Sequence, residues 1–234
     1  MKLTVFIGCY NEKPTILKAI DEAKKLDIEK EIIVIDNCST DGTREILEGL
    51  KDDSDIKIIL HSQNMGAGYS VCEAINLAKG EYFYAPGADL EYRMSDVIEK
   101  FKKLNEEQLD GVFGSRLLDK QHISKLDLIK QRPFWLGSII STFLTNRFYG
   151  RNFTDIIAPK LIKTDILKNL ALKSSGQAFE FELVSRLCKK GCKISEVPIY
   201  YNPRSHKEGK TIKIFDMIPA LLIMFKVKLF GSGS

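Results

Sequence analysis

Short apolar runs recur along the first half of the chain, and each ends in a small polar cluster. Residues 3–8 run into Tyr10-Asn11-Glu12, residues 31–35 into Asp36-Asn37-Cys38-Ser39-Thr40-Asp41-Gly42, and residues 82–85 into Pro86-Gly87-Ala88-Asp89-Leu90-Glu91. Unbroken runs of this length predict strands buried on both faces of a parallel sheet. Segments of helical period lie around and between them, at 14–26, 43–50, 66–78 and 95–104. Gly80 is expected to close the third and Ser95 to cap the fourth. Further strands are expected at 56–60 and 111–114. This alternation predicts an α/β, doubly wound, mostly parallel sheet.

The second half is less regular. Residues 122–133 are polar and basic and read as a mobile loop. Helices are expected at 135–149, 164–170 and 179–190, the last ended by Gly191. Strands are expected at 156–162 and 193–201, the latter at a sheet edge because it holds Pro198. Residues 212–230 form a C-terminal appendage whose centre, 217–225, is continuously apolar but contains Pro219. A span needs about 20 apolar residues, so this segment is too short. With Lys213, Lys226 and Lys228 around it, an amphipathic helix lying in a membrane interface is expected. A terminal helix packed on its own core or on a second subunit is the alternative, and an oligomer stays open. The tail 231–234, Gly-Ser-Gly-Ser, reads as an appended linker.

In an open parallel sheet, ligands bind beyond the carboxyl ends of the strands. Glu12, Asp36 and Asp89 should therefore converge on one crevice, suited to ribose hydroxyls and a divalent cation. Asp89 and Glu91, two apart in a segment taken as extended, should face the same side and approach one ion. Residues 8–11 carry neither a dinucleotide fingerprint nor a phosphate loop, which leaves the diphosphate to a metal.

Composition narrows the class further. The chain has 234 residues, 44% hydrophobic, with a formal charge of +4, too mild an excess for a nucleic-acid binder. Its five cysteines show no disulfide framework and point to a reducing compartment. Cys188 and Cys192 lack a second Cys/His pair and read as ordinary helix-end residues, not a metal site. No basic segment followed by an apolar stretch opens the sequence, so no signal peptide is expected.

Taken together, Tyr10-Asn11-Glu12, the stretch Val34 to Thr43, the segment Asn64 to Gly68, and Ala88-Asp89-Leu90-Glu91 resemble the family-2 glycosyltransferases of GT-A fold. Gly114-Ser115-Arg116, Thr154-Asp155, Glu196-Val197-Pro198-Ile199 and Tyr201-Asn202-Pro203-Arg204-Ser205, with Gly209-Lys210, are similar to the branch that glycosylates dolichyl or polyprenyl phosphate. The resemblance runs to about residue 215. It implies a Rossmann-like nucleotide-sugar half (1–115), an acceptor half (116–211) and the membrane-interface helix (212–230). The implied enzyme is a metal-dependent, inverting hexosyltransferase on the cytoplasmic side of a membrane. It would move sugar from a GDP- or UDP-hexose to a polyprenyl phosphate, using Mg²⁺ or Mn²⁺.

The resemblance also implies roles. Tyr10, Glu12, Asp36, Asn37 and Gly66 would hold the nucleotide sugar, with Asp89, Arg204 and Lys210 at its diphosphate. Asp89 and Glu91 would hold the metal. Arg116 and Arg132 would receive the acceptor phosphate, and Asp155 would join Asp89 and Arg116 at the reacting centre. Each has a plainer alternative: Asp36 as cap of the Asp41–Thr43 turn, Asp155 as a buried structural carboxylate, the cations as solvated surface charges. Gly87 stands where the family's first metal-motif Asp falls. That departure weakens the expected cation site and leaves open a non-catalytic, nucleotide- or lipid-binding relative. A hydroxyl acceptor is a further alternative. It would need a carboxylate base, for which Asp155, Glu180 and Glu182 are the candidates.

Overall fold

The structure, a computed structural model, describes residues 2–118, 135–204 and 217–230. The expected loop at 122–133 with Arg132, and the basic residues Lys210 and Lys213, lie outside the described residues. The strands are β1 (Leu3–Cys9), β2 (Lys30–Asp36), β3 (Ile56–Leu60), β4 (Tyr82–Tyr84), β5 (Gly111–Ser115), β6 (Lys160–Lys163) and β7 (Ile194–Pro198). They form one seven-stranded sheet in the order β3-β2-β1-β4-β6-β5-β7. Neighbours are parallel except β6, which runs antiparallel to both β4 and β5. The helices are α1 (Ile16–Lys24), α2 (Thr43–Glu48), α3 (Ala67–Leu77), α4 (Asp96–Glu106), α5 (Trp135–Tyr149), α6 (Thr164–Lys168), α7 (Phe179–Lys189) and α8 (Met217–Phe230).

Strand alternation divides the core between the two faces of the sheet. Leu3, Val5 and Ile7 of β1 pack with Ile16, Ile20, Leu47, Val97 and Phe101 of α1, α2 and α4. Phe6, Ile33, Phe83 and Phe113 join residues of α3, α6, α7 and α8 on the other face. Each fully buried side chain of this size stabilises by about 1.5–3 kcal/mol, so the sheet is held from both sides.

Several local expectations need correction. The strand expected at 156–162 begins only at Lys160, because backbone donors before it serve carboxylates: Asp155 N–H donates to Glu196 and Ile157 N–H to Asp155. Ser95 makes no side-chain cap to α4, and its backbone is already helical. Gly80 does not close α3, which ends as Ala78 turns extended. It is needed because a Cβ there would lie 2.5 Å from the Thr4 backbone nitrogen.

The C-terminal helix α8 departs from the amphipathic expectation, since both of its faces are apolar. Ala220, Met224 and Val227 are buried against the core, whereas Ile218, Leu222, Phe225 and Leu229 are exposed. Lys189 of α7 donates to the carbonyls of Val227 and Lys228 at 3.0 and 3.2 Å, satisfying acceptors in the last turn. Phe148 of α5 packs edge-on to Phe225, and Lys228 donates to the Phe148 carbonyl. Among the described residues no helix is long and apolar enough to cross a membrane.

Candidate active site

Register assembles the site. Cys9 pairs with Asp36, so β1 and β2 stop at the same level and their following loops lie side by side. The two loops are joined through side chains. Asn11 N–H donates to Ser39 Oγ and Asn11 Oδ1 accepts from Thr40 N–H, both at 2.8 Å. Glu12 N–H donates to Thr43 Oγ1 at 2.9 Å. Asp41 caps its own turn, accepting from Thr43 N–H and Lys13 N–H.

Asp36 is fully buried beneath this junction, where it accepts from Ser39 N–H and lies 3.6 Å from Arg44. It caps the 36–39 turn, not the Asp41–Thr43 turn, and does not line the cleft described below. Asn37 does: its Oδ1 accepts from Met65 N–H and its amide donates to Asn64, which in turn accepts from Gly66 N–H. Gly66 has φ +88°, and a Cβ there would lie 2.4 Å from the Ser175 carbonyl oxygen, so a side chain is excluded twice over. His61, not singled out from the sequence, faces Asn37 Oδ1 through Nδ1 and Glu73 through Nε2.

Beyond β4 the segment 86–91 is a turn, not the extended run that the sequence suggested. Gly87 has φ +86° and Leu90 φ +55°. Glu91 N–H folds back to donate to Asp89 Oδ1 at 3.1 Å. Both carboxylates nevertheless line one cleft of about 650 Å³ together with Tyr10, Glu12, Asn37 and Arg204. Arg204 arrives from the far end of the chain. Tyr92 and Tyr201 form an isolated antiparallel bridge with stacked rings, and Asn202 N–H donates to the Glu91 carbonyl. Arg204 N–H then donates to Glu91 Oε1 at 2.9 Å. Its guanidinium makes a forked pair with Glu12 at 2.8 and 2.9 Å and stands 3.5 Å from Asp89. Burial, then the charge of Glu91, pushes the Asp89 carboxyl above its ordinary value. Glu12 and Asp89 offer the oxygen donors that a hard divalent ion takes, but here they face Arg204, and no three carboxylates converge as metal ligands among the described residues.

The cleft lining carries a second pair. Lys160, at the start of β6, donates to Glu180 Oε2 at 2.6 Å and to the Ala158 carbonyl at 3.1 Å. Both residues line the cleft. Glu180 was a base candidate from the sequence, whereas Lys160, inside a short Lys-Leu-Ile-Lys strand, gave no signal. Glu182 does not share this place. It is buried and engaged by Lys173 N–H, Ser174 N–H and Arg186.

Arg116 and Asp155 come together away from the cleft lining. Arg116 donates to Asp155 through Nε at 2.5 Å and Nη2 at 2.9 Å, with side-chain exposures of 7% and 0%. The guanidinium lies 4.1 Å from the Trp135 ring and 5.2 Å from the Tyr201 ring. Burial acts to raise the Asp155 carboxyl, but the Arg116 charge and hydrogen bonds outweigh it and the net shift is downward. Glu196 supports the pair by accepting from Thr154 N–H and Asp155 N–H. Arg116 and Asp155, expected at the acceptor phosphate and the reacting centre, pair with each other and lie outside the cleft lining formed by the described residues. Arg116 is already neutralised by a buried partner, so the solvated-surface alternative fails for it. Cys188 and Cys192 are buried and free, and no group of three or more metal-ligating His, Cys, Asp or Glu side chains occurs among the described residues.

Known proteins resemble this chain in sequence and fold. The chain is 28% identical over 197 residues to the glycosyltransferase AglJ of Haloferax volcanii, covering 83% of this chain and 61% of AglJ. It is 28% identical over 228 residues to an uncharacterized protein of Methanocaldococcus jannaschii, covering 92% of this chain and 95% of that one. Among solved structures, S. aureus TarS 1-349 in complex with UDP-GlcNAc superposes with a TM-score of 0.64 at 18% identity, over 97% of this chain and 66% of that one. Glucosyl-3-phosphoglycerate synthase from Mycobacterium tuberculosis, in complex with Mn²⁺, UDP and glucosyl-3-phosphoglycerate, gives 0.63 at 18% identity, over 97% and 79%. At such identities the structures speak for the fold. The family model for glycosyl transferase family 2 matches residues 4–170, and the chain belongs to that family.

Proposed function

We propose that this chain is an inverting hexosyltransferase that moves a sugar from a nucleoside-diphosphate sugar to a polyprenyl phosphate at a membrane surface, with Mg²⁺ or Mn²⁺. The observation that carries the reading is the cluster beyond β1 and β4. Glu12 and Asp89 bracket the Arg204 guanidinium, and Glu91 holds the Arg204 backbone. Tyr10, Glu12, Asn37 and Gly66 would form the nucleotide side, with Asp36 fixing the loop from below. Asp89 and Glu91 would hold the cation. A bound divalent ion would neutralise charge on the departing nucleoside diphosphate. Structures of the mycobacterial synthase with UDP and Mn²⁺ or Mg²⁺ support nucleotide and cation together in this fold. Arg204, joined by Lys210, would add positive charge at the diphosphate.

The chemistry asks little proton transfer of the protein. An acceptor phosphate oxygen bonds to the anomeric carbon as the bond from that carbon to the diphosphate oxygen breaks. The electron pair leaves with the nucleoside diphosphate. An ionised phosphate needs positioning, not a base. The exposed apolar face of α8, together with exposed Leu136, Ile140 and Phe143 of α5, supports a protein lying against lipid. The five free cysteines agree with a cytoplasmic face.

A second reading, transfer to a hydroxyl, is favoured by one observation: of the three candidate bases, only Glu180 lines the cleft. Parallel incubations with labelled UDP- and GDP-hexoses, Mg²⁺ or Mn²⁺, and farnesyl phosphate, farnesol or a soluble glycan separate the two. The proposal expects metal-dependent label in the organic phase with farnesyl phosphate. Label reaching only prenols or soluble glycans would establish the second reading, and nucleotide binding without transfer a non-catalytic relative.

A further inference from the structure

We infer that Lys160 is the cation that receives the acceptor's phosphate, and that Glu180 holds its place until the acceptor arrives. The inference rests on the phosphate-acceptor reading above and assigns its anion subsite. Within the described part of the cleft there are two cationic side chains, Arg204 and Lys160. Arg204 is engaged by Glu12 and Asp89 on the nucleotide wall. Lys160 stands on the wall built by β6 and the start of α7, and Arg116 is engaged by Asp155 outside the lining.

The pair is asymmetric in a way that suits exchange. The Lys160 side chain is 5% exposed, that of Glu180 38%. The ammonium is pinned from behind by the Ala158 carbonyl and lies 5.3 Å from the Phe113 ring. A buried ammonium requires an anionic partner. Glu180, in the first turn of α7, can rotate into water at little cost, whereas Lys160 cannot leave its site. A phosphate monoester entering the cleft would replace the carboxylate and preserve the charge-assisted hydrogen bond. A neutral hydroxyl would leave Lys160 with Glu180 still attached. The two residues therefore favour anionic over neutral acceptors of the same chain length. No bond is made or broken in this exchange.

Equilibrium binding of farnesyl phosphate and of farnesol to the full chain tests the subsite without requiring turnover. Wild type should bind farnesyl phosphate more tightly than farnesol. Lys160→Met should weaken farnesyl phosphate binding by about tenfold or more, leaving farnesol unchanged, as expected for losing a charged hydrogen bond. Glu180→Gln, at a part-exposed position, should tighten farnesyl phosphate binding and remains informative if Lys160→Met proves unstable. Under turnover, both effects should fall on the acceptor KM and spare the KM of the nucleotide sugar. Unchanged farnesyl phosphate binding in Glu180→Gln and in a folded Lys160→Met overturns the subsite. Loss of kcat in Glu180→Gln with acceptor KM unchanged also overturns it, making Glu180 a base. Binding that follows this pattern without sugar transfer would instead overturn the proposed function and leave the subsite standing.

Discussion

Arg204 and Glu12, 192 positions apart in sequence, meet in a forked ion pair of 2.8 and 2.9 Å in the lining of the cleft. This contact ties the segment after β7 to the loop after β1. A double-mutant cycle of Glu12→Gln and Arg204→Ala, followed by chemical unfolding, should show coupling on the order of 1 kcal/mol, since the pair is only partly exposed. Additive effects would mean that the two side chains act independently in solution.

Asp89→Asn should abolish activity and raise stability at neutral pH. The Asp89 carboxyl is raised in the fold by burial and by Glu91. Its stabilising contribution is complete below the unfolded value, about 3.9, and is lost as pH rises through the higher folded value. At neutral pH the carboxylate therefore costs stability. Asparagine removes that cost and can still accept from Glu91 N–H. The expected result is a higher Tm at pH 7 and sugar transfer lower by about 100-fold or more. A lower Tm would show that attraction to Arg204 outweighs desolvation.

Arg116→Ala should act on folding. Removing one partner of a buried ion pair leaves the other uncompensated and costs about 3–5 kcal/mol. Asp155→Ala should cost a similar amount, and the pair replaced together by Met and Leu should cost much less than the sum. Urea unfolding of the three variants decides this. A stable Arg116→Ala protein with a raised acceptor KM would return Arg116 to acceptor binding.

Lys100 gives the fold a distinct alkaline signature. It lies wholly buried on α4 beneath Tyr84, donates to the Asp96 carbonyl, and has its pKa lowered by burial to about 8. The unfolded chain holds this proton up to about pH 10.4, so between about 8 and 10 it binds more protons than the native state. Stability should rise with pH across that window through this group. Lys100→Met should be more stable than wild type at pH 7 and lose that rise. Identical pH profiles would contradict the burial of a charged Lys100.

The two faces of α8 should separate by mutation. Replacing Ile218, Leu222 and Leu229 by Ser should abolish flotation with anionic vesicles and leave Tm nearly unchanged, because these side chains are exposed. Met224→Ala should do the reverse, costing about 2–5 kcal/mol by opening a cavity in the core. Wild-type protein that does not float would remove the membrane from the account.

The polar strand ends were legible because their determinants are local. Runs of apolar residues ending in Glu12, Asp36 and Asp89 state both the strand and which end carries polar groups. What the sequence hid depends on distant partners. Arg116 and Asp155 are 39 positions apart, and nothing local marks them as a buried pair. Lys160 and Lys100 look like ordinary surface lysines, since burial of an ammonium is decided by what the fold packs around it. The turn at Leu90 escaped because a leucine with positive φ is rare and is imposed by the surrounding contacts. The second face of α8 was missed for a related reason: a helix apolar all round gives no pattern that separates core from surface.

The most direct test of the account is the mass of the product formed from farnesyl phosphate and a nucleotide hexose in the presence of Mn²⁺. Transfer to the phosphate should give farnesyl phosphate plus one hexose, joined through a phosphodiester, with one nucleoside diphosphate released per product. Hexose attached to a prenol or glycan hydroxyl, or no product with any UDP- or GDP-hexose that the protein binds, would contradict it.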